Sequence, residues 1–111
     1  MVYPDFSKGS KEVDLGEAAA FTEFPTEVEI DGNEFYLSQD KDGTLHLLSS
    51  LCPHSWGQIY LDGTCFTCPS HGWRFEFGEG ICINGPIARM YEFEVTTRDG
   101  RLFAEIPDKP A

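Results

Sequence analysis

The chain predicts an all-β fold, a small antiparallel sandwich or barrel, and three observations carry that expectation. Four Asp-Gly pairs punctuate the sequence at Asp31-Gly32, Asp42-Gly43, Asp62-Gly63 and Asp99-Gly100. Each lies between runs rich in β-branched, leucine or aromatic residues, a strong short-range signal for a hairpin. Apolar residues recur with a period of two, the spacing that puts them on one face of a strand. Helical patterning is nearly absent, and many short strands joined by tight turns build sandwiches or barrels.

The elements follow in order. The segment from Met1 to Leu15 mixes charged, Pro and Gly residues with isolated apolar ones, and no strand is assigned there. Glu17 to Phe21 could form one helical turn, but Pro25 stops any continuation. Val28 and Ile30 alternate with Glu27, Glu29 and Asp31, and Phe35 and Leu37 continue beyond the turn. Leu45, Leu47, Leu48 and Leu51 mark an apolar strand that Cys52 closes, with His46 on its solvent side. Ile59 to Thr67 reads as a hairpin turning at Asp62-Gly63. Tyr91, Phe93 and Val95 alternate with Glu92, Glu94 and Thr96, and Leu102 to Ile106 returns as the partner strand. The pattern implies one buried face per sheet, and the stretch from Pro107 to Ala111 is expected to fray.

Length and charge bound the possibilities. With 111 residues the chain is expected to form one domain, residues 1–111, with a single core. Nine Phe, four Tyr and two Trp supply enough apolar bulk for a globular protein. Nineteen acidic residues against eight basic ones give a formal charge of -11. That field repels a phosphate backbone and an anionic membrane surface, so neither nucleic acid nor membrane is expected as a partner. It suits steering toward a basic partner, and equally plain solubility. No stretch is long and apolar enough to span a bilayer, and no signal-like run opens the chain, so a reducing, cytoplasmic setting is expected.

The chemistry is concentrated in Cys52-Pro53-His54 and Cys68-Pro69-Ser70-His71, separated by thirteen residues (55–67). Each loop delivers one thiolate and one imidazole. A Cys-x-His pair is cramped around one tetrahedral ion and comfortable when its side chains reach the two irons of one cluster. Two cysteines on one iron and two histidines on the other is a known [2Fe–2S] arrangement. Structural zinc is the alternative for a Cys2His2 set, although zinc pairs usually leave two or more residues between ligands. Cys65 and Cys68 also form a Cys-x-x-Cys, but on a strand rather than at the helix N-terminus that a reactive dithiol wants. Cys65 reads as an ordinary strand residue and Cys82 as a small buried apolar one. Trp56 and Trp73 flank the loops, as shields, docking groups or core. Glu76, Glu79, Glu92 and Glu94 read as a solvated strand face or as docking charges.

The segment from Leu51 to about Pro86, with Cys68-Pro69-Ser70-His71-Gly72-Trp73-Arg74-Phe75 and Asn84-Gly85-Pro86, resembles the Rieske iron–sulfur family. Weaker similarity extends over Val28 to Ser50 and Arg89 to Ile106. The resemblance implies one [2Fe–2S] cluster per chain, in a cluster-binding subdomain of two loops over roughly residues 51–86. By it, Cys52 and Cys68 hold the inner iron, His54 and His71 the outer, solvent-facing iron, and Gly85-Pro86 forms the loop covering the cluster. The connection between the loops is a few residues shorter than is usual in the family. Respiratory members carry an extra Cys in each loop; here Ser70 and Ser55-Trp56-Gly57 stand there, so that disulfide cannot form. They also place a Ser and a Tyr where this chain has Trp73 and Phe75. Fewer hydrogen bonds to sulfur predict a potential near the low end of the Rieske range, about -150 mV.

The resemblance implies an electron carrier, a Rieske-type ferredoxin that takes electrons from a flavin- and NAD(P)H-dependent reductase and passes them to a terminal oxygenase or similar enzyme. The chain has three histidines. With two on the cluster, His46 alone cannot supply the mononuclear iron site of an oxygenase, so no catalytic residues are assigned. The alternative is a small Rieske subunit of a larger enzyme, such as a nitrite-reductase-like or oxygenase assembly. A redox sensor is the third reading.

Overall fold

A computed structural model describes residues 9–53, 57–70, 72–85 and 87–107. Among these residues the strands are β1 (Ser10–Glu17), β2 (Thr26–Ile30), β3 (Asn33–Gln39), β4 (Leu45–Ser49), β5 (Tyr60–Asp62), β6 (Cys65–Thr67), β7 (Arg74–Glu76), β8 (Glu92–Phe93), β9 (Val95–Arg98) and β10 (Arg101–Pro107). They form three antiparallel sheets ordered β1-β10-β9, β2-β3-β4-β8 and β5-β6-β7. The fold is all-β, as its alternation implies. A single 3-10 turn, Ala18–Ala20, stands where one helical turn was allowed.

Two of the Asp-Gly pairs are two-residue hairpin turns. Asp31 and Gly32 join β2 to β3 with φ of 53° and 80°, and Asp99 and Gly100 join β9 to β10 with φ of 52° and 75°. Both residues of such a turn are left-handed, which Asp tolerates and Gly adopts freely. The other two pairs sit differently. Asp62 pairs with Cys65 inside the hairpin, so Gly63 and Thr64 form that turn. Asp42 and Gly43 lie in a longer link whose centre is Asp40: its Oδ1 accepts the amides of Asp42 at 2.8 Å and Thr44 at 3.0 Å.

The central sheet is covered on both faces, not on one. Phe35, Leu37, Leu47 and Phe93 pack on one side against Ile30 and against Leu102, Ala104 and Ile106 of β10. On the other side Tyr36 and Leu48 pack against Ile59, Phe66, Phe75, Met90, Cys52 and Cys68. Residues 35 to 38 are therefore all buried. This sheet separates a structural core from the core beneath the cysteine loops. The chain crosses from the central sheet to the outer one between β8 and β9 at Glu94, whose carbonyl accepts the Glu105 amide at 3.1 Å.

Strand β1 is a correction to the sequence reading, which left Met1 to Leu15 without an element. Val13 and Leu15 pack on the first core, while Lys11, Glu12 and Asp14 pair with Asp31, Arg98 and Arg101. Apolar side chains alternate here, but charge hides them in the sequence. Pro107 is likewise paired and buried rather than frayed, because it ends β10 opposite Ser10; residues 108–111 lie outside the described residues. No helix among the described residues is long and apolar enough to cross a membrane.

Candidate metal centre

The two cysteines sit at the necks of two loops, and the necks are closed alike. The Cys52 amide donates to the Gly57 carbonyl at 2.8 Å, and the Cys68 amide donates to the Trp73 carbonyl at 2.8 Å. Each neck thus closes onto the residue five positions further on, although the histidine spacing of the loops differs. Leu51 bridges to Gln58, and the Ile59 amide reaches the Ser50 carbonyl at 2.6 Å, which fastens the first loop to the end of β4. Tyr36 reaches across from β3 and donates from its hydroxyl to the Ile59 carbonyl at 3.0 Å. Gly72 donates to the Cys68 carbonyl at 2.9 Å inside the second loop. The β5–β6 hairpin lies between the two loops in the chain, as the sequence implied.

Cys52 and Cys68 are each 0% exposed and belong to the same apolar cluster. A thiolate buried among Ile59, Phe66 and Phe75 is an anion in a dry site, which is costly unless a metal compensates it. Two such sulfurs on paired loops are a donor set that suits iron–sulfur chemistry. Phe75 is fully buried, and Trp73 is half-buried against the same cluster. Neither brings a hydroxyl to it. His54, His71, Ser55, Trp56 and Pro86 lie outside the described residues.

One residue that sequence reasoning quoted without a role is Asn84. Its Oδ1 accepts the Arg74 amide at 2.7 Å and its Nδ2 donates to the Gly72 carbonyl at 3.0 Å, bracing the second loop from outside. Gly85 lies so close to Trp73 Nε1 and Cys82 Sγ that a Cβ would meet both at 3.3 Å. Cys82 is half-buried beside them rather than fully buried. Cys65 is an ordinary buried residue of β6, with Sγ 3.7 Å from the Asp62 carbonyl.

His46 is a second correction. It is 8% exposed, not solvent-facing. Its Nδ1 lies 2.5 Å from Glu92 Oε2 and its Nε2 2.9 Å from Asp40 Oδ2. Burial pushes its pKa down, but the bonds to Asp40 and Glu92 outweigh that and the net shift is upward. The same contact with His46 holds the Asp40 carboxyl below its usual range.

Among relatives, the chain is 39% identical over 59 residues to the cholesterol 7-desaturase of Hemicentrotus pulcherrimus, covering 50% of this chain and 13% of that protein. It is 34% identical over 68 residues to the oxygenase component of 3-ketosteroid-9-alpha-monooxygenase from Rhodococcus rhodochrous, covering 59% and 18%. The chain therefore spans less than a fifth of the length of these relatives. Among solved structures, one described as an NADH-dependent nitrite reductase small subunit from Mycobacterium tuberculosis superposes with a TM-score of 0.56 at 18% identity, covering 86% of this chain and 95% of that one. That likeness shows a shared fold. Residues 9–97 match the family model of the Rieske [2Fe-2S] domain. The chain belongs to the Rieske [2Fe-2S] domain family, whose cofactor is one [2Fe–2S] cluster.

Proposed function

We propose that the chain is one Rieske-type domain over residues 1–111 and serves as a one-electron carrier between a flavin- and NAD(P)H-dependent reductase and a terminal oxygenase or similar redox enzyme. The observation that carries this reading is the pair of buried cysteines at matched loop necks within one apolar cluster. Cys52 and Cys68 would hold one iron as buried thiolates, and His54 and His71 the other. When bound, the cluster supplies one-electron redox chemistry. The protein's own part is to keep the sulfurs dry and the loops fixed. Phe66, Phe75 and Met90 exclude water from the cysteines, and Tyr36 and Asn84 tie down the first and second loops. By the family resemblance Trp73 and Phe75 take the positions at which high-potential members carry hydroxyls, which supports a potential near the low end of the range, about -150 mV.

The charge distribution supports a carrier that meets a partner. Between residues 51 and 90 only Asp62, Glu76 and Glu79 are acidic, against Arg74 and Arg89, so the acidic excess lies in the rest of the sequence. Ile83 and Ile87 stand exposed in the segment beside the second loop. A near-neutral, apolar contact end on an acidic body allows steering at a distance and close approach at the end. The cytoplasmic setting is part of this proposal and rests on the sequence alone.

Electron paramagnetic resonance on the reduced protein tests the ligand set. A mixed Cys/His cluster gives a lower average g-value than an all-cysteine one; an all-cysteine spectrum, or none, overturns the assignment. The second reading, a small subunit of a nitrite-reductase-like enzyme, draws on the fold shared with that structural neighbour over 95% of its chain. Stable co-purification with a large subunit favours it. Turnover with separate reductase and oxygenase, slowing as salt rises, favours the carrier.

A further inference from the structure

Away from the cysteine loops, one other constellation among the described residues brings metal-ligating side chains together, and it is centred on the buried His46. Asp40 follows β3, His46 lies in β4, and Glu79 comes from the turn after β7. One donor atom from each lies within 4.8 Å of the others. The parts are held from behind. Asp40 Oδ1 is engaged by the Asp42 and Thr44 amides, which leaves Oδ2 toward the imidazole. The Glu79 turn is pinned by the Glu79 amide on Glu76 Oε1 at 3.0 Å and by the Gly78 amide on Ser38 Oγ at 2.7 Å.

Two physical features point to a cation at this place. A metal-bound histidine almost always gives its other ring N–H to a carboxylate, a backbone carbonyl or a water, which fixes the tautomer and aims the free nitrogen. Glu92 stands at Nδ1 in that role and Asp40 Oδ2 lies 2.9 Å from Nε2, with Glu79 completing the group. Charge is the second feature. Asp40, Glu79 and Glu92 surround one buried imidazole with Glu76 beside them, and the cations at hand are Arg89, which engages Glu92 from 3.3 Å, and Lys41 on the cleft wall. A proton on the imidazole supplies one positive charge to this group, whereas a divalent ion supplies two. A cleft of about 370 Å³, lined by Asp40, Lys41, Glu76 and Glu79, opens beside the group and admits an ion with its remaining waters.

We propose that Asp40, His46 and Glu79 bind one divalent transition-metal ion of zinc-like preference, with Glu92 orienting the imidazole. One nitrogen and two carboxylate oxygens, with room for water, suit Zn2+. The ion takes the Nε2 lone pair, and a proton held there leaves to solvent. Asp40 and His46 belong to the central sheet and its turn, while Glu79 follows the sheet that carries the second cysteine loop. A bound ion therefore ties the loop-bearing sheet to the body of the protein. This site shares no residue with the cysteine loops, so it stands or falls independently of the electron-carrier reading.

The test is calorimetric titration of the cluster-loaded protein with zinc chloride, with the visible spectrum recorded before and after. The expected result is one Zn2+ per chain, an unchanged spectrum, and affinity at least tenfold weaker in both Glu79→Ala and Asp40→Asn. Glu79 is partly exposed, so its replacement leaves the cores intact, and zinc is expected to raise the unfolding temperature of the unmodified protein but not of Glu79→Ala. Absence of binding, binding in either variant as strong as in the unmodified protein, or binding that bleaches the cluster each overturns the proposal.

Discussion

The two cores on either face of the central sheet differ in kind. The outer core, built from Ile30, Phe35, Leu37, Leu47, Phe93, Leu102, Ala104 and Ile106, holds aliphatic and phenyl side chains only. The inner core places Cys52 and Cys68 among Tyr36, Leu48, Ile59, Phe66, Phe75 and Met90. Adjacent residues of the same strands serve both: Phe35 and Leu37 look one way and Tyr36 the other, as do Leu47 and Leu48. The outer core has many long pairings to support it, including β1 with β10 and β10 with β9. The inner one rests on three-residue strands and loop necks. With Cys52 and Cys68 as the proposed ligands, folding and cofactor binding are divided between the faces of one sheet, so each can be disturbed with the other largely spared.

The largest separation is expected from the cysteines. Cys52→Ala and Cys68→Ala should each abolish the visible absorbance and the iron content, while far-ultraviolet circular dichroism retains its β-sheet signal from the outer core. If Cys52→Ala keeps its iron and spectrum, the ligand assignment is wrong. If it loses all sheet structure as well, the two cores are not separable.

The converse substitution is Leu47→Ala. Leu47 is 0% exposed and packs wholly in the outer core. A cavity left by a buried leucine costs about 2–5 kcal/mol. Chemical denaturation should show that loss, while the folded fraction keeps an unchanged visible spectrum and midpoint potential. A shifted potential with little loss of stability would show that the central sheet transmits strain between its faces.

Much of this division was legible in the residues, and the parts that were not have physical reasons. The Asp-Gly turns and period-two alternation located the hairpins because local turn chemistry fixes them. Strand β1 was missed because its pairing partner, β10, lies about ninety residues away and its exposed side chains are charged to match Asp31, Arg98 and Arg101. His46 was misplaced because alternation assigns a face but does not say what covers it; here Glu92 of β8 and the Asp40 turn close over it. Burial of both faces of β3 left four consecutive buried positions, Phe35 to Ser38. Only two of those four are apolar residues on the alternating positions, so a one-sided strand was the simpler reading. The cysteine motif was conspicuous, whereas the equal necks of the two loops are backbone features that no spacing reveals.

Phe75→Tyr sharpens the comparison within the inner core. Phe75 is fully buried beside the cysteines, and a tyrosine there adds an O–H donor with little change of shape. Hydrogen bonds to the cluster sulfurs stabilise the reduced form, so the midpoint potential should rise. A redox titration with unchanged cluster content decides it. An unmoved or lowered midpoint would mean that Phe75 is not within reach of a sulfur and that its missing hydroxyl does not set the potential.

The smallest effect should come from Tyr36, the residue that turns from the central sheet into the inner core. Its hydroxyl donates to the Ile59 carbonyl at 3.0 Å, and Tyr36→Phe should cost about 1 kcal/mol, since the ring remains and one buried bond is lost. Its pH signature is more specific than its size. Burial, and then the charges of Glu27 and Glu34, push the Tyr36 pKa up to about 12 from its usual 10.0. A raised folded-state pKa means that the neutral form is favoured by folding. That contribution is complete below the unfolded value and is lost as pH rises through the folded one. Stability of the unmodified protein should therefore fall between pH 10 and about 12 by an amount that Tyr36→Phe does not show. Urea denaturation of both proteins across that window measures the difference. Parallel curves would mean that the phenol is not held neutral in the inner core and that the Ile59 neck is fastened without it.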